Sequence, residues 1–171
     1  MDIEKYISRI IPPADYNHRN GFDNAAIIDG LNDNEKNLVS GALINMLWAG
    51  SDDTLIVTTL AYMKSKTALP ALYDLLEKAP AGLVKIMIAV SIFQISADEN
   101  MIETAICSFK QLDDKKDAYY VYKLVEAFYY LRKFSDPGAN KLIEQYVNHP
   151  EYLLSYNAKI NLGIRMDLPS K

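Results

Sequence analysis

The chain has 171 residues, half of them hydrophobic, which is enough to build one substantial core without metal ions or disulfide bonds. Its formal net charge of −4 disfavours non-specific attraction to nucleic-acid phosphates, so a basic protein partner fits better than nucleic acid. The single cysteine, Cys107, excludes an intramolecular disulfide, and the sequence has neither signal-peptide features nor an apolar segment of membrane-spanning length. We therefore expect a cytoplasmic protein that is not associated with a membrane.

Residues 1–32 are expected to form an N-terminal cap and loop. Residues 2–11 have apolar side chains at helical spacing and predict a short amphipathic helix, which two prolines then end. The next ten or so residues are rich in turn formers and predict a loop. Within it, His18 and Arg19 either contact a ligand or, as we favour, are simply solvated. Asp23 can then cap a short helix.

Residues 33–171 are predicted to form the main domain, a series of helices joined by short polar connections. The first of these helices begins at Asp33 or Asn34 and ends at Gly50. Its last turn holds the sole tryptophan, Trp48, which we interpret as a core or edge side chain rather than a recognition anchor.

Two successive helical hairpins follow between Ser51 and Gln111, with Ser51 or the next aspartate as the first N-cap. The second helix of each hairpin has an apolar stripe. These stripes begin at Leu69 and Ile102, 33 residues apart, which is about one repeat of a stacked helical-hairpin protein. The helix at residues 81–95 is apolar nearly all round, so we expect it to lie between neighbouring helices.

The rest of the sequence predicts three more helices. Asp136 and Pro137 supply an N-cap and a first helical residue, and His149 with Pro150 is expected to begin the last helix in the same way. The apolar stripe predicted for that last helix consists of Leu153, Tyr156, Ile160 and Ile164. Because apolar residues keep helical spacing throughout and no segment alternates as a strand would, we predict an all-α protein.

One phrase of the sequence resembles a HEAT or HEAT-like repeat. It is Ala68-Leu69-Pro70-Ala71-Leu72, at the start of the second helix of a hairpin, and the neighbouring hairpins keep the helix layout without the phrase. The resemblance implies a right-handed α–α superhelix of about four HEAT-like hairpins within residues 33–171. Proteins of this kind are mostly scaffolds that hold another protein, while a minority are enzymes, including DNA glycosylases and chromophore lyases.

No motif for catalysis, nucleotide binding or metal binding is present, so we predict no catalytic residue, no metal site and no cofactor. Cys107 lies among apolar neighbours and is expected to be a buried, inert thiol, and both His18 and His149 are expected to be loop or cap residues. Paired carboxylates at helix junctions either cap helices or form an acidic rim for a cationic partner. They are Asp52-Asp53, Asp98-Glu99 and Asp113-Asp114.

The candidate partner-binding residues belong to a tyrosine-rich helix, off the face that its aliphatic side chains occupy. They are Tyr119, Tyr122, Lys123, Glu126, Tyr129 and Tyr130. These tyrosines either pack on adjacent repeats or form a binding stripe, since tyrosine is enriched at interface hot spots. In the second interpretation, Glu126 pairs with a basic group of the partner.

We therefore expect a non-enzymatic protein-binding module. One form of this function is an inhibitor or immunity protein that neutralises a cognate bacterial toxin. The alternatives are a HEAT-like enzyme of the DNA glycosylase class and a chromophore lyase.

Overall fold

A computed structural model describes residues 3–112 and 117–165 of the chain. Within these residues every regular element is helical and no β-strand occurs, which confirms the prediction of an all-α protein. The helices are α1 (Ile3–Ile10), α2 (Tyr16–Arg19), α3 (Ala25–Asp29), α4 (Asp33–Trp48), α5 (Thr54–Tyr62), α6 (Leu69–Lys78), α7 (Leu83–Ser96), α8 (Asn100–Phe109), α9 (Tyr120–Arg132), α10 (Pro137–Glu144) and α11 (Tyr152–Leu162). None of them is long and apolar enough to span a bilayer.

Side-chain caps fix where several helices begin. Helix α4 starts with a capping box, in which the Asn32 side chain accepts from the Glu35 N–H at 3.0 Å and the Glu35 carboxylate accepts from the Asn32 N–H at 3.0 Å. Asp136 caps α10 ahead of Pro137, as predicted. Helix α5 is capped by Asp53, one residue beyond the predicted position, and α11 is capped by Glu151 rather than by His149.

The chain divides into two compact units, of which the first comprises residues 3–78 and 94–97 of the described chain. Its core is formed by aliphatic side chains of α1, α3, α4, α5 and α6, including Ile10, Ile28, Leu43, Ile56, Leu60 and Leu72. One buried polar contact lies within this core. The Asn24 side-chain amide donates to the Ile10 carbonyl at 3.0 Å and to the Thr59 hydroxyl at 2.8 Å.

The second unit comprises residues 79–93 together with the described residues from 98 to 165. In α7, residues 86–92 are buried without interruption, as expected for a helix that is apolar on all sides. The Ser91 hydroxyl within this run donates to the Met87 carbonyl at 2.9 Å, so its burial leaves no unpaired donor. Rings of Phe109, Phe128 and Tyr146 cluster between α8, α9 and the turn after α10, with centroids 5.1–6.1 Å apart.

These two units do not coincide with the predicted division at residue 32, which falls inside the first unit. The prediction of a 1–32 cap followed by a 33–171 repeat domain stays a prediction.

Three helices are followed by a non-glycine residue in the left-handed region. Lys64 after α5, Ala97 after α7 and Ser135 after α9 have φ angles of 53°, 56° and 54°. An L-residue pays roughly 1–2 kcal/mol for this conformation, which ends the helix and reverses the chain.

The last helix differs from its prediction. Leu153, Ile160 and Ile164 of the predicted stripe are exposed, whereas Leu154 and Ala158 are fully buried. The predicted stripe is therefore not the buried face of α11, because Leu154 and Ala158, four residues apart, are the side chains that face the interior of this unit.

Candidate functional site

Helix α9 has one buried face and one exposed aromatic face. Its buried face is made by Leu124, Phe128 and Leu131, all with no solvent exposure. Tyr122 and Tyr129 are seven residues apart and therefore share a face, which at 100° per residue lies opposite that buried one. The aromatic face therefore lies away from the side chains that pack α9 on the protein.

Three tyrosines are largely open to solvent: Tyr122 and Tyr129 on this face and Tyr119 at the N-cap of α9. The exposed fractions are 67% for Tyr119, 64% for Tyr122 and 55% for Tyr129. We call these three residues the tyrosine row. Of the two interpretations of the tyrosines, packing inside the protein does not describe the row, because more than half of each residue is accessible.

Tyr130 does not belong to the tyrosine row. It is only 9% exposed, because one further residue along the helix turns the side chain by 100° toward the core. Burial raises the pKa of Tyr130 to about 12, with smaller contributions from Glu126 and Tyr129. The structure therefore separates Tyr130 from the other tyrosines that the sequence grouped with it.

Lys123 is held by an intramolecular partner. Its ammonium group binds the Asp117 carboxylate, which also accepts from the Tyr119 N–H at 2.8 Å. These hydrogen bonds, the one from Lys123 first, lower the pKa of Asp117. This ion pair stabilises the first turn of α9 and gives Lys123 a counter-ion within the chain.

Lys133 was missed by the sequence reasoning. Its ammonium nitrogen lies 4.2 Å from the centroid of the Tyr129 ring and 5.1 Å from that of Tyr130. Both contacts are cation–π interactions, in which the ring faces attract the positive charge. The spacing of four residues between Tyr129 and Lys133 was the available signal, since it places both on one helix face.

Glu126 lies on the same face, one turn from Tyr122 and from Tyr129. Within the part of the chain that the structure describes, its carboxylate forms no ion pair or hydrogen bond. The residue is exposed, yet the surrounding atoms desolvate the carboxylate enough to raise the pKa of Glu126. It is the one charged group of the predicted set that has no intramolecular counter-ion in the described residues.

Other predicted candidates are placed elsewhere. Trp48 is exposed on α4 rather than in the core, as is Leu38 of the same helix. The burial predicted for Cys107 was wrong, because its position on α8 faces solvent. The Cys107 thiol donates to the Glu103 carboxylate at 3.3 Å, and this hydrogen bond is the main cause of the raised Cys107 pKa. A raised pKa makes a thiol a poorer nucleophile near neutral pH.

The loop residues that could have contacted a ligand instead bind within the chain. His18 Nδ1 lies 2.7 Å from an Asp15 carboxylate oxygen, and Asp15 caps the short helix α2. Arg19 binds the Asp53 carboxylate and is not solvated as we had favoured. The predicted loop therefore contains a helical turn that is fixed to α5.

Of the acidic pairs, the structure supports local capping at two. Asp53 accepts from the Leu55 N–H at 3.0 Å, and Asp98 accepts from the Asn100 N–H at 3.0 Å. The pair Asp113-Asp114 lies outside the described residues. Over residues 3–112 and 117–165, no group of three or more histidine, cysteine or carboxylate side chains is arranged to hold a metal ion.

No protein-family model matches the chain, and no curated protein or solved structure matches it at a significant level.

Proposed function

We propose that this chain is a non-enzymatic protein-binding module whose contact surface is centred on the tyrosine row. The observation that carries the proposal is the exposure of Tyr122 and Tyr129, on the side of α9 that faces away from its core, and of Tyr119 at the N-cap of the same helix. Tyrosine combines a large apolar ring with a hydroxyl and loses little conformational entropy on binding, which is why it is enriched at interface hot spots. Three such exposed rings, two on one face of α9 and one at its N-cap, offer an adaptable surface to a partner.

The charges around the tyrosine row favour a partner with a basic group. Lys123 is paired with Asp117, and Lys133 lies over two tyrosine rings. Glu126, between Tyr122 and Tyr129, is left without a counter-ion in the described chain. A lysine or arginine of the partner could pair with Glu126 and stack on the Tyr122 ring, whose face holds no cation of the described chain, whereas Lys133 already lies over Tyr129. The formal net charge of −4 favours the same sign of partner.

The proposal includes a HEAT-like arrangement of the helices, a right-handed superhelix of hairpins. Its support is the recurrence of one turn, since the first helices of the hairpins α5–α6, α7–α8 and α9–α10 are all followed by a left-handed non-glycine residue. The three positions, Lys64, Ala97 and Ser135, recur at 33 and 38 residues, in the range of helical-hairpin repeats. Proteins built in this way mostly present one surface to another protein.

We propose that one form of this protein-binding function is that of an inhibitor or immunity protein, which neutralises a toxin. Its support is the small size and acidic charge of the chain together with the unpaired Glu126, which suit a basic target.

The test is a comparison of partner capture by the wild-type chain and by Tyr122→Ala/Tyr129→Ala. A protein retained by the wild type is identified, purified and titrated against both forms by calorimetry. We expect the double variant to bind it about 30-fold more weakly, which corresponds to roughly 2 kcal/mol. Since both rings are more than half exposed, the melting temperature followed by circular dichroism should change little.

The matched control is Tyr16→Ala, because Tyr16 is 77% exposed but lies on α2 in the other unit. This variant should bind the partner with unchanged affinity. A second variant, Glu126→Lys, should weaken binding to a basic partner and strengthen binding to an acidic one. Unchanged affinity in a folded Tyr122→Ala/Tyr129→Ala variant would refute the proposed surface.

A further inference from the structure

The second unit contains a cleft that the tyrosine row does not use. Its volume is about 530 Å³, within the range of sites that bind small molecules or short peptides. Arg132 at the end of α9, Asn140 and Glu144 of α10 and Asn148 in the following turn supply its polar side chains. Val147, Leu162 and Ile164 form its apolar wall.

The polar side chains of the cleft have no partners in the described chain. No hydrogen bond, ion pair or ring contact within residues 3–112 and 117–165 uses the Arg132 guanidinium, the Glu144 carboxylate or the Asn148 amide. Arg132, Glu144 and Asn148 are exposed to solvent, so their charges and amide are available to a ligand that enters the cleft.

The side chain of Asn140 gives the most specific evidence that the cleft binds a ligand. Its Oδ1 is buried and has no hydrogen-bond partner, the one such side-chain atom found in the described residues. An unpaired buried acceptor costs about 1–3 kcal/mol, so a native protein rarely keeps one without a reason. Asn140 lines the cleft and the terminal torsion of an asparagine is soft, so rotation of its amide can offer this oxygen to a donor of a bound ligand.

The spacing of these groups matches an extended peptide. Asn140 and Glu144 are one turn apart on α10, and Asn148 follows one turn later, after the Val147 N–H has donated to the Glu144 carbonyl at 3.2 Å. At about 1.5–2 Å per residue the eight steps from Asn140 to Asn148 make the row roughly 12–16 Å long, which equals about four residues of extended chain. Asparagine amides both donate and accept, as peptide groups do, and Glu144 can accept from a further N–H.

We propose that this cleft binds an extended peptide segment of about four residues. The peptide presents a carboxylate to Arg132, and an aliphatic side chain packs on the wall formed by Val147, Leu162 and Ile164. Arginine binds a carboxylate through two parallel hydrogen bonds, which fixes the direction of the peptide. The carboxylate comes from the C-terminus of the peptide or from an aspartate or glutamate side chain. This site is independent of the tyrosine row, since the two share no residue.

The experiment uses the full chain labelled with ¹⁵N, and the probes are three pools of N-acetylated tetrapeptides rich in leucine and valine. The first pool has free C-terminal carboxylates and no acidic side chain, the second has amidated C-termini and one acidic residue, and the third is amidated and contains no acid. The readout is the side-chain NH₂ resonances of Asn140 and Asn148.

We expect the first or the second pool to shift both resonances at millimolar concentration, and the responding pool identifies the source of the carboxylate. The third pool should leave them unshifted. Equal shifts with all three pools would show that Arg132 selects no carboxylate, and no shift with any pool would show that the cleft binds no such peptide. Either result overturns the proposal.

The variant that tests the role of Arg132 is Arg132→Gln, because it removes the charge while keeping a long polar side chain. Binding of the responding pool should fall by at least tenfold. Lys141→Gln is the matched control, since Lys141 is an exposed cation of α10 beside Asn140 that does not line the cleft. If both variants lose affinity equally, general electrostatic attraction explains the binding and the assignment to Arg132 fails.

Discussion

The clearest prediction about stability concerns the ion pair between Arg19 and Asp53, whose removal should destabilise the first unit. Arg19 Nη1 and Nη2 donate to the two Asp53 carboxylate oxygens at 2.7 and 2.6 Å, a bidentate arrangement. Nε and Nη2 also donate to the Pro12 carbonyl at 3.0 and 2.6 Å. Asp53 in turn caps α5, so one cluster joins the end of α2, the segment after α1 and the start of α5.

The size of the effect follows from the burial of the pair. The Arg19 and Asp53 side chains are only 21% and 19% exposed, so the small values typical of exposed ion pairs do not apply. Hydrogen bonds to charged groups contribute about 1.5–3 kcal/mol, and loss of an N-cap costs about 0.5–2 kcal/mol. Asp53→Ala should therefore lower the free energy of unfolding by about 2–5 kcal/mol.

A double-mutant cycle isolates the pair from the cap. Asp53→Ser keeps a good N-cap residue, and Arg19→Met keeps an apolar stem, so we use these two changes alone and together. The lost contact to Pro12 occurs in both Arg19→Met forms and cancels. We expect a coupling free energy of about 1.5–3 kcal/mol from urea unfolding at pH 7. The fluorescence of Trp48 is the probe, because it reports on the same unit.

The pH dependence supplies an independent check. The hydrogen bond from Arg19 is the main cause of the lowered Asp53 pKa, whose ordinary value is 3.8. A carboxyl group with a pKa lowered by folding contributes its full stabilisation above the unfolded pKa and loses it as the pH falls through the folded value. The difference between wild type and Asp53→Ser should thus shrink from pH 5 to pH 2. A coupling below about 0.5 kcal/mol at pH 7, or one unaffected by acid, would refute the reasoning.

Three further changes test the packing and the turns. Ala97→Gly should raise the free energy of unfolding by about 0.5–1 kcal/mol in urea titrations, because glycine tolerates φ = 56°. The control Ala42→Gly, inside helix α4, should instead lower the free energy of unfolding by about 1 kcal/mol. Ile88→Asp should cost more than about 3 kcal/mol, since it places an unpaired charge at a fully buried position, and melting within a few degrees of wild type would contradict this. Asn24→Ala should cost about 1–3 kcal/mol, measured in the same titrations, because the Ile10 carbonyl loses its side-chain donor and Thr59 its buried partner.

The sequence predicts well where the helices lie and less well which face of each helix is buried. The helices from α4 to α11 were all expected, because their apolar residues keep helical spacing over two or more turns. The choice of buried face was harder, as α11 shows. Its longer stripe at Leu153 and Ile160 is exposed while Leu154 and Ala158 are buried, because periodicity shows which residues share a face but does not show which face meets a neighbour.

The same limit explains why the sequence placed some residues of the candidate site incorrectly. Helical spacing grouped Tyr130 with Tyr129, yet adjacent residues point 100° apart and only Tyr129 is exposed. Cys107 has apolar neighbours in sequence and nevertheless faces solvent beside Glu103. Contacts between distant residues were beyond reach, since nothing local to Arg19 indicates a partner 34 positions away at Asp53. The cleft combines residues of α9, α10 and α11 in the same way.

The uninterrupted burial of residues 86–92 also affects how the chain is made. When α7 leaves the ribosome, the helices that follow it in the second unit have not yet been synthesised, and only Lys85 carries a charge within Leu83–Ser96. At roughly 5–20 residues per second, α9 to α11 arrive seconds later, whereas a helix forms in about a microsecond. During that interval the part of α7 that belongs to the second unit lacks the later residues of that unit, such as Phe134, whose ring centroid lies 4.9 Å from that of Phe93. We therefore expect the yield of soluble protein to depend on synthesis rate and chaperone supply, even where the finished fold is stable.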